Sequence, residues 1–417
     1  MRTAPRLLML TLATAAPLAG CATRQETPTG YAVGHCLAIG GAMKDDNTEL
    51  FRWMTSRRQN HRVVVVAYAT ASFEGADKRM GDRLAKHGWA GKVDQLPDVS
   101  RSEAEKAAAP AVLAGADLIF FTGGDQSRIT ERFRAAPELG RALNDAIHKE
   151  GTLIAGTSAG AAMMCDPMFT GGGSESALTG APADDGEQDD APAPAGRSEG
   201  GRSARRGVQM GPGLGLVAPL TDTHFFERGR VGRLVAGLEK SGVPYGIGIG
   251  ENRAVAISGG AVCTALGGDC AALLVDVREL QRQGLSRLGT RVSLMSSGDT
   301  WTFPGSGEKN HGVQSVRPLT QGPVAINSPP SATPQFPNPW GRNVALDMLR
   351  RLAADPRQVQ FARSDRFELI ITADERTRFG WSADRPGALT VVDARLDIVE
   401  RPATPHSDPA TTRGASQ

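Results

Sequence analysis

The sequence predicts an α/β protein: a mostly parallel sheet sandwiched by helices. Two observations carry that expectation. Short apolar runs at residues 36–39, 63–68, 118–122 and 152–155 alternate along the chain with stretches of helical spacing. Two glycine-rich turns, Gly123-Gly124-Asp125-Gln126 and Gly156-Thr157-Ser158-Ala159-Gly160, directly follow the third and fourth runs. They therefore fall at the carboxyl edge of the sheet, where open parallel sheets hold their ligands.

The elements follow in order. Between the four strands lie helical stretches at 48–57, 78–87, 102–114 and 137–149. The last two repeat apolar residues at i, i+3 and i+4, and Ser102 with Glu105 forms a capping-box pattern at the start of the first of them. Residues 171–206 break the pattern: they are rich in Gly, Ala, Pro and Ser, acidic first and then basic, with few apolar side chains. They read as a disordered insertion. Order resumes with strand patterns at 215–217, 222–225, 245–249 and 254–257, a helix at 229–240, and further β structure at 273–275 and 290–295. Residues 307–341 read as a linker, 342–402 as a C-terminal α+β extension with a helix at 343–354 and strands at 367–372 and 389–392, and 403–417 as a frayed tail.

Composition narrows the function classes. Of 417 residues 40% are hydrophobic and the net charge is +2, so no basic bias points to nucleic acid. At the amino terminus a basic start and an apolar run too short to span a bilayer close on Leu18-Ala19-Gly20-Cys21. This resembles a bacterial lipobox. It implies a signal peptide over 1–20, a lipid on Cys21, a tether over 21–33, and an extracytoplasmic, membrane-anchored lipoprotein in the periplasm or at the outer membrane or cell surface. Cys36, Cys165, Cys263 and Cys270 show no zinc-site spacing. Cys263 and Cys270, flanking Gly267-Gly268, are candidates for a disulfide, and an oxidising compartment permits one. The reading calls for no metal and no cofactor, and leaves oligomeric state open, a homodimer included.

The chemistry centres on Ser158. An apolar strand, a small-residue turn and a short helix expose a hydroxyl on a tight elbow, beside free helix-end N–H groups. The serine is a weak nucleophile without a base. Of seven histidines, His224 is the one at the end of a predicted strand with charged residues entering a helix after it: Asp222-Thr223-His224-Phe225-Phe226-Glu227-Arg228-Gly229-Arg230-Val231-Gly232-Arg233. Glu251 follows the strand 245–249 at the same predicted edge and supplies an orienting carboxylate.

Together, Gly123-Gly124-Asp125-Gln126, Gly156-Thr157-Ser158-Ala159-Gly160-Ala161, the His224 segment and Gly246-Ile247-Gly248-Ile249-Gly250-Glu251 resemble the cyanophycinase group of serine exopeptidases. That group is related to the aspartyl dipeptidases of the peptidase E type, on a flavodoxin-like scaffold similar to the class I glutamine amidotransferases. The resemblance implies a peptidase domain over 34–306. Within it Ser158 is the nucleophile, His224 the general base and acid, Glu251 the residue that orients His224, and the N–H groups of Gly124 and Ala159 the oxyanion hole. Gln126, Asp222, Thr223, Arg228, Arg230 and Arg233 match positions lining the substrate pocket. Arginines suit carboxylate-bearing substrates because the planar guanidinium grips both oxygens. The implied substrate is cyanophycin, a polyaspartate backbone carrying arginine on its side carboxyls, trimmed to β-Asp-Arg dipeptides. Two positions depart from the group's pattern: Thr223 stands where glutamine is usual, and Gly250 where an acidic residue is common. Asp-X or isoaspartyl dipeptides are the alternative substrates, and a non-catalytic binding lipoprotein on the same fold is the alternative of a different class.

Overall fold

A computed structural model of the chain describes residues 35–56, 58–149, 151–182, 206–259, 262–303, 312–321, 335–382, 385 and 387–402. The segment carrying Cys21, the middle of the insertion and the expected tail lie outside them. The first half alternates as expected: β1 (Cys36–Ile39), α1 (Thr48–Met54), β2 (Arg62–Val66), α2 (Ala76–Ala85), β3 (Lys92–Gln95), α3 (Glu103–Leu113), β4 (Leu118–Phe121), α4 (Gln126–Ala135), α5 (Pro137–Lys149), β5 (Leu153–Thr157) and α6 (Ala159–Ala162). The middle comprises β6 (Met168–Gly171), α7 (Ser174–Thr179), β7 (Gln209–Gly211), β8 (Leu220–Asp222), α8 (Val231–Ser241), β9 (Tyr245–Ile249), β10 (Ala254–Ser258) and β11 (Val262–Leu266). The remainder comprises β12 (Ala272–Asp276), β13 (Gln281–Gln283), β14 (Ser286–Met295), β15 (Thr300–Thr302), β16 (Gly312–Gln314), β17 (Leu319–Gln321), α9 (Val344–Ala354), β18 (Gln360–Arg363), β19 (Phe367–Thr372), β20 (Arg378–Trp381) and β21 (Leu389–Glu400).

The strands form two large sheets. In the nine-stranded sheet, ordered β16-β15-β11-β10-β1-β5-β4-β2-β3, the five strands from β1 to β3 run parallel and the four on the other side pair antiparallel. The ten-stranded sheet has the path β17-β20-β21-β14-β12-β9-β8 and is antiparallel along it except where β8 meets β9. The period-two alternation of the parallel strands explains why both faces are covered. Leu37, Ile39, Val63, Val65, Leu118 and Phe120 point to a core made with Phe51, Met54, Met80 and Leu84 of α1 and α2. Ala38, Val64, Val66, Ile119 and Phe121 point to the other core, with residues of α3, α4, α5 and the second sheet. Each fully buried aliphatic side chain of this kind contributes about 1.5–3 kcal/mol relative to exposure.

Several elements differ from expectation. Strand β3, Lys-Val-Asp-Gln, has a single apolar residue because it is the sheet edge and is only half covered. Helix α4 begins where the Asp125 side chain accepts the Ser127 N–H at 2.9 Å, a cap the glycine-rich turn concealed. Residues 215–217 are not a strand; the N–H groups of Leu216 and Val217 bond the Met164 carbonyl instead. The insertion is not featureless at its start: α7 packs on α8, Leu178 is buried, and Ser174 donates to the Gly229 carbonyl at 2.7 Å. The stretch read as a linker supplies β16 to the first sheet and β17 to the second. Residues 342–402 supply β21, which pairs along β14 in the body of the second sheet rather than forming an appendage. Cys263 and Cys270 are both free and buried, so the anticipated disulfide is absent. Cys263 lies on β11 in the first sheet, whereas the Cys270 thiol approaches the Gly387 carbonyl at 3.6 Å.

Candidate active site

Ser158 leaves the end of β5 in the first sheet, while His224 and Glu251 each follow by two residues a strand of the second, β8 and β9. The site thus lies between two sheets, not along one edge as the sequence suggested. Three successive carbonyls at the end of β1 hold its parts together. Ile39 accepts the Ser158 N–H at 2.9 Å, Gly40 the His224 N–H at 2.7 Å, and Gly41 the N–H of Asn252, next to Glu251, at 2.7 Å. Gly41 has φ +106, and a Cβ there would lie 2.2 Å from the His224 ring, so only glycine lets the imidazole occupy its place. Ser158 itself sits at φ 52, ψ −113 and His224 at φ 49. For non-glycine residues such left-handed backbone costs about 1–3 kcal/mol each and persists only where surrounding structure enforces it.

His224 bridges the other two residues. Its Nε2 lies 2.9 Å from Ser158 Oγ and its Nδ1 2.8 Å from Glu251 Oε1. Burial pulls the His224 pKa below its usual 6.5; the Glu251 hydrogen bond pushes it back up, and the positive charges of Arg228 and Arg230 push it down again. A neutral imidazole with Nδ1–H donated to Glu251 presents a lone pair from Nε2 to the serine hydroxyl, the arrangement a general base requires. The Glu251 backbone N–H is in turn held by Glu227 Oε2 at 3.1 Å. Among the described residues the N–H groups of Gly124 and Ala159 donate to no acceptor, and both residues line the cleft with Ser158.

That cleft encloses about 260 Å³ and is lined by Gln126, Asp222, Thr223, Arg228, Arg230 and Arg233 alongside Ser158 and His224. Asp222, 1% exposed, is the hub of the arginines. Its Oδ2 accepts Arg233 Nε at 2.9 Å and its Oδ1 accepts the same guanidinium's Nη2, a bidentate pair, while Arg230 Nη1 is 3.4 Å away. Arg230 Nη1 also donates to the Thr223 carbonyl at 2.7 Å. Arg233 further donates to the Gly172 carbonyl at 3.0 Å and lies over the Phe169 ring. With both oxygens so engaged, Asp222 orients the arginines and partly neutralises them. Gln126 directs its amide N–H to the Phe169 carbonyl at 2.8 Å. The structure brings together every expected site residue it describes; Cys21 lies outside the described residues.

Other cleft residues escaped sequence reasoning. Ala42 and Met43 follow the β1 carbonyls, and the paired Gly40-Gly41 after an apolar run was the available signal. Arg83 reaches the cleft from α2, its guanidinium donating to Asp45 Oδ1 and the Met43 carbonyl, each at 2.6 Å. In the sequence it is one more cation on an amphipathic helix, and no local signal distinguishes it.

Comparison with known proteins adds relatives to this geometry. A protein-family model described as Peptidase family S51 matches residues 36–264. A cyanophycinase from Nostoc sp. is 30% identical over 235 residues, covering 55% of this chain and 68% of that protein. A cyanophycinase from Synechococcus elongatus is 26% identical over 293 residues, 67% of this chain and 81% of that one. Among solved structures, a peptidase from an acI-B1 Actinobacterium matches with a TM-score of 0.41 and 15% identity, covering 66% of this chain and 98% of that chain.

Proposed function

The chain belongs to peptidase family S51 and is a serine-type peptidase, and from that premise we propose that it is an exopeptidase degrading cyanophycin to β-Asp-Arg dipeptides. The observation that carries the mechanism is His224, with Ser158 on one ring nitrogen and Glu251 on the other, at the wall of a cleft lined with arginines. In this reading Ser158 Oγ attacks the carbonyl of an aspartyl peptide bond as His224 Nε2 takes the hydroxyl proton. The oxyanion is met by the N–H groups of Gly124 and Ala159. His224, held by Glu251, returns the proton to the leaving amine, and water then releases the acyl group by the same steps in reverse. Arg228 and Arg230 hold the carboxylates of the substrate, while Thr223 shapes the position where the cyanophycinase pattern has glutamine.

The amino-terminal sequence supports placing this activity outside the cytoplasm, on a lipid carried by Cys21. Among the described residues no helix is long and apolar enough to cross a membrane. Mass spectrometry of the mature amino terminus tests that assignment.

The substrate assignment is tested by incubating the protein with insoluble cyanophycin, alongside Ser158→Ala. Soluble β-Asp-Arg is expected from the wild-type protein and none above background from the variant, with equal melting temperatures for the two. Release from short Asp-X or isoaspartyl dipeptides alone would transfer the assignment to the dipeptidase alternative. A folded protein whose Ser158 takes no label from a serine-reactive probe would support the binding alternative.

A further inference from the structure

One cation of the catalytic cleft belongs to none of the motif segments. Arg83 lines the cleft from α2, together with Ala42 and Met43, which directly follow Gly41. The side-on edge of its guanidinium is engaged, Nε by Asp45 Oδ1 and Nη2 by the Met43 carbonyl, each at 2.6 Å. The guanidinium carbon also lies 5.4 Å from the centroid of the Phe51 ring. These contacts hold the group in one orientation. Among the described residues Nη1 has no acceptor, so the end-on edge, Nη1 with the second hydrogen of Nη2, can grip both oxygens of a carboxylate. Asp45 does not cancel the charge. Its side chain is 43% exposed and its other oxygen is taken by Lys86 Nζ at 2.6 Å, so two cations share one anion. An ion pair this open to water is weak and competes poorly with an incoming anion.

The position of Arg83 selects the part of a substrate it meets. His224 returns its proton to the leaving amine, so the leaving unit lies on the His224 side of the scissile bond. The turn at Gly41 runs against the His224 ring, and Arg83 is fastened to that turn at Met43. The oxyanion donor Gly124 follows β4, on the opposite side of β5 from β1. In a polymer a free backbone carboxylate occurs only on the last unit, so a cation on the leaving side can tell the end of the chain from its interior. We propose that Arg83 is a specificity-determining residue that holds the terminal backbone carboxylate of the leaving unit and so directs cleavage to the chain end. This rests on the reading of the protein as an exopeptidase of cyanophycin.

The test compares two probes: a two-unit fragment of multi-L-arginyl-poly-L-aspartate with its terminal backbone carboxylate free, and the same fragment with that carboxylate amidated. The wild-type protein is expected to cleave the free acid with kcat/KM about tenfold above the amide, the difference lying in KM, as one charge-assisted contact would give. Arg83→Ala is expected to erase that preference by raising KM for the free acid about tenfold more than for the amide. Arg83→Lys keeps the charge without the planar fork; it is expected to retain a smaller preference, and it carries the test should the alanine variant melt early. A residue that merely braced residues 43–45 would slow both probes alike. Such equal losses, a preference that survives in Arg83→Ala, or no preference in the wild-type protein would overturn the assignment while leaving the cyanophycin reading in place. Cleavage of neither probe by the wild-type protein would instead remove that reading, and the assignment with it.

Discussion

At His224 opposing influences act on one proton. Burial is the largest and favours the neutral ring; the Glu251 hydrogen bond favours the charged ring, and Arg228 and Arg230 oppose it. Because the neutral form is the base, kcat/KM is expected to be flat at higher pH and to fall as pH drops through a midpoint below 6.5, the ordinary value. The folded-state pKa is depressed, so the stability contributed by His224 has the same sign: present above the unfolded value and lost as pH falls through the folded one. Glu251→Gln removes the influence that holds the proton on and the group that orients the ring. It should move the acid limb to still lower pH and reduce plateau kcat/KM by about 10²–10⁴-fold. A pH–rate profile of both proteins decides this: a wild-type midpoint at or above 6.5 would count against the dominance of burial, and an unmoved limb in the variant against the role of Glu251.

At the scale of elements, the turn between β8 and α8 carries the base with Arg228 and Arg230, Arg233 follows in the first turn of α8, and the turn is supported from outside. Ser174 at the start of α7 donates to the Gly229 carbonyl and accepts the Arg233 N–H at 3.2 Å; the Asn343 N–H bonds the Phe226 carbonyl at 2.7 Å. Gly229 has φ +56, and a Cβ there would lie 2.0 Å from the Trp340 carbonyl oxygen. Gly229→Ala should therefore cost about 2 kcal/mol or more and lower kcat by shifting His224. Thermal melting and steady-state rates check it, and a variant with wild-type values of both would show that the contact with 340 does not hold the turn. For the same reason an insertion deletion beginning at Ser174 removes a support of the site, whereas one confined to 183–205 leaves those contacts untouched. The motif residues were legible in the sequence because glycine, serine and histidine at strand ends are locally distinctive. Ser174 and the 338–343 stretch were not, because a polar residue becomes a buried support only through a tertiary partner far along the chain.

At the scale of the whole molecule, the sequence conveys the alternation of strands and helices but not the division into two sheets. Apolar strands buried on both faces read alike in either sheet, so the runs that precede His224 and Glu251 looked like continuations of the first. The polar stretch after 303 likewise reads as a linker, because its described strands β16 and β17 are three residues each and one of its anchors is a buried ionic cluster that only the fold assembles. Buried Asp299 accepts Arg317 Nη1 and Ser315 Oγ at 2.8 Å each, the Ser296 N–H at 2.9 Å, and the Thr390 hydroxyl of β21. Removing one partner of a buried pair costs about 3–5 kcal/mol, so Asp299→Ala should lower the urea midpoint markedly although it lies outside the cleft. Truncation makes the stronger claim. A chain ending at Phe303 keeps every residue of the Ser158 site but loses β21, leaving β14 as a long exposed edge and uncovering Leu294 and Val292, which are now buried. It is expected to aggregate and show no cooperative melt. If it instead melts cooperatively and retains full activity, residues 344–400 are an accessory to the peptidase rather than part of its fold.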